Sequence, residues 1–454
     1  MKKQSYLKGA VIISAGGFLS KILGAIYRIP LIAYLGGTGM GIYQMVYPLY
    51  CILLTVSASG IPTGIARIIS SGEGAGVEKK AFYLYGGIGL IGSLVMFAFS
   101  GMLAKAQGEP AVAQCCIALS PSVFFVALIS IVRGYFQGKG NMYPTAVTEV
   151  TEQAIKVAVG IALARMFRGD VAKATMAAVF AVTVSEVVTA AFAITLYLSG
   201  RSKIKPLYRQ KEVSARSIFA YTVPLTLTAI ALPLSQLAES IVVVNLLRSS
   251  VENATALYGI YSGCAVTIIN LPVSVSYGLA AASVPQISPL AAKGDIDGAK
   301  RLVRKSLLYT LAISVPSAIA LFVFAPLAGR ILFSSLGAGE LSLLVTLVRI
   351  MAVNAVTSSL VQTSAACITS LGKPLHGTIT QWVTSVLRVL LSAALVSFTS
   401  LSVTGVAISA NCCYLVAVIA NLCYIKAVKH REGNTDVDNL NRLGNKARRF
   451  NQVG

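Results

Sequence analysis

The sequence predicts an all-α integral membrane protein with about twelve spanning helices in two related six-helix bundles. Three observations predict it. Of 454 residues, 56% are hydrophobic and only 12% charged, too little charge to cover a water-soluble surface. Apolar windows of roughly 20 residues, long enough to cross a hydrocarbon core as a helix, recur along almost the whole chain. The chain also resembles itself. Gly41-Ile42-Tyr43 recurs as Gly259-Ile260-Tyr261, Gly60 as Gly278 and Ile69-Ser70 as Ile287-Ser288, all at an offset of 218. Further on the offset grows to 232, where Gly140 matches Gly372 and Lys156 matches Arg388. Such duplication of a helical unit is common in secondary transporters, with the working cavity between the halves.

The windows fall near 6–28, 42–66, 81–104, 112–132, 145–164, 175–199, 217–246, 257–284, 306–329, 343–368, 378–397 and 402–425. The first has the basic start of a secretory signal, but it contains Lys21, runs into Arg28 and lacks a cleavage site. It therefore reads as a retained helix. Lys21 and Arg28 are seven apart and share a face. The second window carries Tyr43, Tyr47 and Tyr50 at helical spacing, a stripe that suits packing, an interfacial belt, or a wall that cradles a sugar or lipid chain. The third contains Gly87-Ile88-Gly89-Leu90-Ile91-Gly92, which fits G-x-G-x-x-G literally. No strand precedes it, so it predicts helix packing and not a dinucleotide site.

The fifth window carries the densest polar set: Thr145, Thr148, Glu149, Glu152 and Lys156. Charges at bilayer depth cost about 2.5–3.5 kcal/mol each and normally face a cavity or a partner. The eleventh window carries Thr378, Gln381, Ser385 and Arg388 on a similar face. Because Lys156 and Arg388 are repeat equivalents, they predict two cations facing one central cavity from opposite halves. The alternative is that Glu152 and Lys156 neutralise each other in a packed seam. Alanine at Lys156 or Arg388 is expected to abolish activity without loss of folded protein. The seventh window is broken by Pro224 and Pro233, which membrane helices tolerate. It carries Gln236 and Glu239, a carboxylate able to bind a proton or Na⁺. Glu186 and Arg349 are solitary charges in other spans. The predicted division is an N-terminal bundle over 1–213, a C-terminal bundle over 214–430 and a hydrophilic tail over 431–454.

The net charge of +22 is a topology signal and not a nucleic-acid footprint. With Met1 inside, about 27 Lys and Arg fall on inner segments and about 7 on outer ones, with about 4 left in spans. Both termini are therefore expected in the cytoplasm, with the inner cations also able to hold anionic lipid. The eight cysteines lie in apolar windows as small packing residues. No G-x-x-x-x-G-K-[ST] loop is present, so ATP hydrolysis by this chain is excluded. His376 and His430 lie near no metal-like cluster, and no nucleophile has a credible base, so neither an enzyme nor a metal site is expected.

Several stretches resemble a known family. They are Gly17-Phe18-Leu19-Ser20-Lys21-Ile22-Leu23-Gly24, Tyr27-Arg28-Ile29-Pro30-Leu31, Gly39-Met40-Gly41-Ile42-Tyr43-Gln44, Gly60-Ile61-Pro62 and Ser120-Pro121-Ser122. With them go Arg133-Gly134-Tyr135-Phe136-Gln137-Gly138 and Asn141-Met142-Tyr143-Pro144-Thr145-Ala146, running on to Glu152-Gln153. Together they resemble the stage V sporulation protein B group of polysaccharide transporters, in the multidrug/oligosaccharidyl-lipid/polysaccharide (MOP) flippase superfamily.

The resemblance implies a V-shaped MATE/MurJ-like fold in the bacterial cytoplasmic membrane. It implies flipping of a polyprenyl-diphosphate-linked sugar, lipid II or a related precursor, by alternating access, with a role in cell wall or spore. Lys21, Arg28, Lys156 and Arg388 are then the candidate substrate cations. Tyr43, Tyr47, Gln137, Glu149, Glu152, Gln381 and Ser385 are candidate cavity residues, and Glu239 a candidate coupling-ion site. No cofactor is expected beyond coupling to a proton or Na⁺ gradient or to the membrane potential. The expected partners are the sugar lipid, membrane lipids and the cell-wall or polysaccharide synthesis machinery, with the chain itself a monomer. The MurJ-type arginine triad is not matched: only Lys21 keeps a charge at its position, and Arg28 stands where an acid is usual. A cation-coupled multidrug antiporter of the same fold would favour acidic cavity residues. A non-transporting membrane scaffold would tolerate loss of the buried cations.

Overall fold

The computed structural model describes residues 6–56, 61–70, 77–201, 226–227 and 229–428. Among these the regular structure is entirely helical. The first half contains α1 (Tyr6–Leu54), α2 (Ile61–Ser70), α3 (Val77–Ala98), α4 (Ser100–Gln107), α5 (Ala111–Gly138), α6 (Tyr143–Met166) and α7 (Val171–Arg201). The second contains α8 (Ala231–Arg248), α9 (Ala254–Gly259), a π-helical segment (Ile260–Ala265), α10 (Val266–Ala292), α11 (Ile296–Leu332), α12 (Ala338–Ser370), α13 (Pro374–Phe398) and α14 (Val403–Ala427). The predicted boundary at 213/214 and the tail 431–454 lie outside the described residues.

At 49 residues, α1 would be about 73 Å long if straight, more than twice a hydrocarbon core. It is not straight. Gly36 has φ 62° and ψ −175°, a conformation essentially confined to glycine. Tyr27 reaches Ala178 on α7, Gly39 lies against Val171 and Thr175, and Tyr50 reaches Glu186. These contacts approach the start of α7 and then recede from it, so the chain reverses at Gly36. The two limbs, 6–35 and 37–54, are separate crossings.

Nine of the described helical segments are long and apolar enough to cross a membrane, and the α1 reversal makes one of them two crossings. The charged α6 and the 18-residue α8 bring the described crossings to about twelve. In α8, Pro233 sits in the first turn, where a missing N–H costs little. The G-x-G-x-x-G stretch is helical within α3, and Gly89 packs against Ala127 and Phe124 of α5. α11 shows Ile319, Phe322, Val323 and Phe324 at its surface, as a lipid-facing helix does.

The repeat is physical. Gly140 and Gly372 both take positive φ, 74° and 79°, just after α5 and α12. Each is followed by a helix with proline in its first turn, Pro144 or Pro374. Gly41 and Gly259, matched at offset 218, pack backbone to backbone. Gln44 Nε2 donates to the carbonyl of its equivalent, Ser262, at 2.7 Å. Equivalent residues that touch each other lie on the pseudo-two-fold axis, so the halves cross here.

The halves also join at the α4–α5 corner. Asn245 donates to the Ala106 carbonyl (2.7 Å), and Gln107 donates to Ser240 (2.9 Å). Arg248 pairs with Glu109 (3.2 Å), and the Thr255 hydroxyl donates to the same carboxylate (3.3 Å). These residues flank connections 108–110 and 249–253, on the same face as the Gly36 reversal. This set of contacts clasps the halves at that face.

Candidate functional site

A cavity of about 620 Å³ lies between the halves. The first half contributes Ser20, Arg28, Tyr43, Gln44, Tyr47, Gln153 and Lys156. The second contributes Gln236, Glu239, Tyr258, Tyr261, Asn270, Asn354, Ser358, Gln362, Gln381, Arg388 and Tyr414, among others. The wall is thus rich in amides and tyrosines, with four charged side chains set into it.

The two repeat-related cations are in different electrostatic states. Arg388 meets Glu239 twice. Its terminal nitrogen donates to Oε1 at 3.0 Å, and Nε lies 2.6 Å from Oε2 in an ion contact that is not an aligned hydrogen bond. The Tyr261 hydroxyl, 3.1 Å from Arg388, closes the triad. Glu239 is only 2% exposed, so this charge is neutralised where it is buried. Lys156 is 7% exposed and has no ion-pair partner among the described residues. Arg28 has none either. It donates to the Thr267 hydroxyl at 2.9 Å, reaching across from the first half to α10. Cancelling Arg388 against Glu239 leaves two positive charges, Arg28 and Lys156, among the described residues of the wall.

The local structure explains why Lys156 is free. Glu152, one turn before it, is bound instead to Arg133 of α5 at 3.1 Å, and Arg133 also donates to Thr148 at 2.9 Å. The neutralised seam that stood as the alternative for Glu152 and Lys156 is instead an α5–α6 seam made with Arg133.

Of the sequence candidates, Arg28, Lys156, Arg388, Tyr43, Tyr47, Gln381 and Glu239 converge on the cavity. Gln137, Glu149, Glu152 and Ser385 are not in its wall. Gln137 donates to Thr145, and Glu149 lies near Gly17 on α1. Ser385 lines a small side crevice with Gln381 and Arg388. The Lys21 side chain lies outside the described residues. Tyr50 turns away from the cavity and donates to buried Glu186 at 3.2 Å. Sequence reasoning missed Gln44, Gln153, Asn354, Gln362 and Tyr414. The signal was available in α12, where Asn354, Ser358 and Gln362 repeat every four residues within an apolar span. Among the described residues no three His, Cys, Asp or Glu side chains converge to hold a metal.

The family model described as polysaccharide biosynthesis protein matches residues 6–291. Stage V sporulation protein B of Bacillus subtilis is 26% identical over 355 residues, 74% of this chain and 68% of that one. The lipid II flippase MurJ of Bacillus subtilis is 21% identical over 350 residues, 69% of this chain and 63% of that one. Among solved structures, an inward-facing multidrug resistance MATE family transporter of the MOP superfamily superposes with TM-score 0.68 at 18% identity, covering 94% of this chain and 95% of that one. A MOP superfamily transporter from Pyrococcus furiosus, reported to have a binding pocket of reversed polarity, gives 0.65 at 16%, covering 93% and 96%.

Proposed function

The chain belongs to the polysaccharide biosynthesis protein family and is a multi-pass membrane transporter of MOP type, and from this premise we propose that it flips a polyprenyl-diphosphate-linked oligosaccharide. The observation that carries the proposal is a pair of cavity cations, Arg28 and Lys156, that have no ion-pair partner among the described residues and sit in a wall rich in amides and tyrosines. A diphosphate cannot enter hydrocarbon without counter-charge, and two cations offer it. The amides and phenols suit the hydroxyl-rich sugar, while the prenyl chain stays in the lipid. The fold also suits a multidrug antiporter. However, Glu239, the one carboxylate in the described wall, is bound to Arg388, which leaves no free acid for an organic cation.

With the clasped face placed outside, as the charge sorting suggests, the cavity loads from the cytoplasm of a bacterial cell. Alternating access then exposes it to the outer leaflet. A proton or Na⁺ gradient, or the membrane potential, supplies the bias. The proposal is tested by depleting the protein and analysing lipid-linked precursors by leaflet. Build-up of one sugar lipid in the inner leaflet is expected and identifies the cargo. Unchanged precursor pools and unchanged leaflet distribution would sink the flippase reading.

A further inference from the structure

We propose that one face of α12 is a sugar-reading subsite within this cavity, formed by Asn354, Ser358 and Gln362; the proposal rests on the flippase reading above. The three residues are four apart, so they stack on one helical face, and all three line the cavity. Asn354 is only 5% exposed, and its side-chain amide nitrogen has no hydrogen-bond partner. The side-chain oxygen of Gln362 is likewise buried and unpartnered. Ser358 is already engaged, donating to the Asn354 backbone carbonyl at 2.6 Å. A buried donor and a buried acceptor left open at bilayer depth cost free energy unless something fills them.

The two open groups lie about 12 Å apart along the helix, two turns of rise. That span exceeds one phosphate and suits two successive sugars. It needs a ligand that accepts a hydrogen bond at one end and donates one at the other, as hydroxyl and acetamido groups do. The open Asn354 donor would also accept a phosphate oxygen, so a sugar-free diphosphate probe separates the two ligands. Tyr414 on α14, only partly buried, adds a ring on which a sugar face can rest.

The repeat provides an internal control. At the offset of 232, Asn354 and Gln362 correspond to Ser122 and Ser130 of α5, which are buried away from this cavity. The amides are therefore a feature of the second half and not of the fold. Together with Arg28 and Lys156 on the opposite wall they orient the cargo, diphosphate toward the first half and glycan toward the second.

The test uses full-length protein in nanodiscs and two probes: sugar-free polyprenyl diphosphate and the same lipid carrying an acetamido disaccharide. Wild type is expected to bind the glycosylated probe about tenfold more tightly. Asn354→Leu/Gln362→Leu should erase that preference and leave sugar-free binding unchanged. Asn354→Ser/Gln362→Ser, which installs the first half's residues, serves if the leucine variant does not fold. Equal weakening for both probes, or retention of the full preference, overturns the subsite. Equal wild-type affinity for the two probes overturns the subsite and leaves the flippase reading standing. Failure of wild type to bind either probe overturns the flippase reading and the subsite with it.

Discussion

Lys156 and Arg388 share a place in the repeat but not a role. Lys156 carries free charge into the cavity, so Lys156→Ala is expected to abolish complementation while leaving expression and thermal unfolding unchanged. Arg388 is different because its removal strands Glu239 as an unpaired buried charge. Arg388→Ala is expected to destabilise the protein by about 3–5 kcal/mol, read as a lowered unfolding temperature in detergent. Arg388→Ala/Glu239→Gln should recover most of that loss, since removing both charges removes the penalty. An Arg388→Ala protein as stable as wild type would show that the pair is not what holds α13 to α8. Equal consequences at the two cations are what the sequence predicts, and the Glu239 pairing makes them unequal for folding. The difference arises because Glu239 and Tyr261 come from other helices, and only packing brings them to Arg388.

At the scale of the helix, the second limb of α1 and α9 cross with their backbones in contact. A Cβ on Gly259 would fall against the Gly37 carbonyl oxygen and the backbone of Gly41. The clash is with backbone, which cannot rotate away. Gly259→Val is therefore expected to cost more than the roughly 1–3 kcal/mol usual for overpacking, with loss of folded protein on size-exclusion chromatography. Among the described residues nothing lies close to the Gly278 Cβ position, so Gly278→Ala should be tolerated and serves as a control. Both glycines belong to the visible repeat. Their energetic difference was not legible, because sequence shows that a glycine recurs and not what stands opposite it.

For the whole molecule, the clasp formed by Glu109, Arg248 and Thr255 joins the halves at one face, and alternating access requires it to part. Cysteines at 109 and 248, bridged by a bis-methanethiosulfonate reagent in a background without native cysteines, are expected to stop transport. Cleaving the bridge should restore it. Full activity of the bridged protein would show that this face need not open. A charge swap, Glu109→Arg/Arg248→Glu, should retain more activity than either single change, because only the swap keeps opposite charges in contact.

The sequence by itself determined the membrane class, the approximate number of crossings, the repeat and the presence of buried cations. Hydropathy, charge sorting and internal similarity run along the chain and survive without coordinates. Tertiary structure alone decided which charges are free. Glu152 chooses Arg133 over Lys156, Glu239 chooses Arg388, and Arg28 reaches Thr267 on the other half. Those choices depend on how each helix is rotated against its neighbours. Periodicity specifies a face of one helix and carries no information about the face it meets.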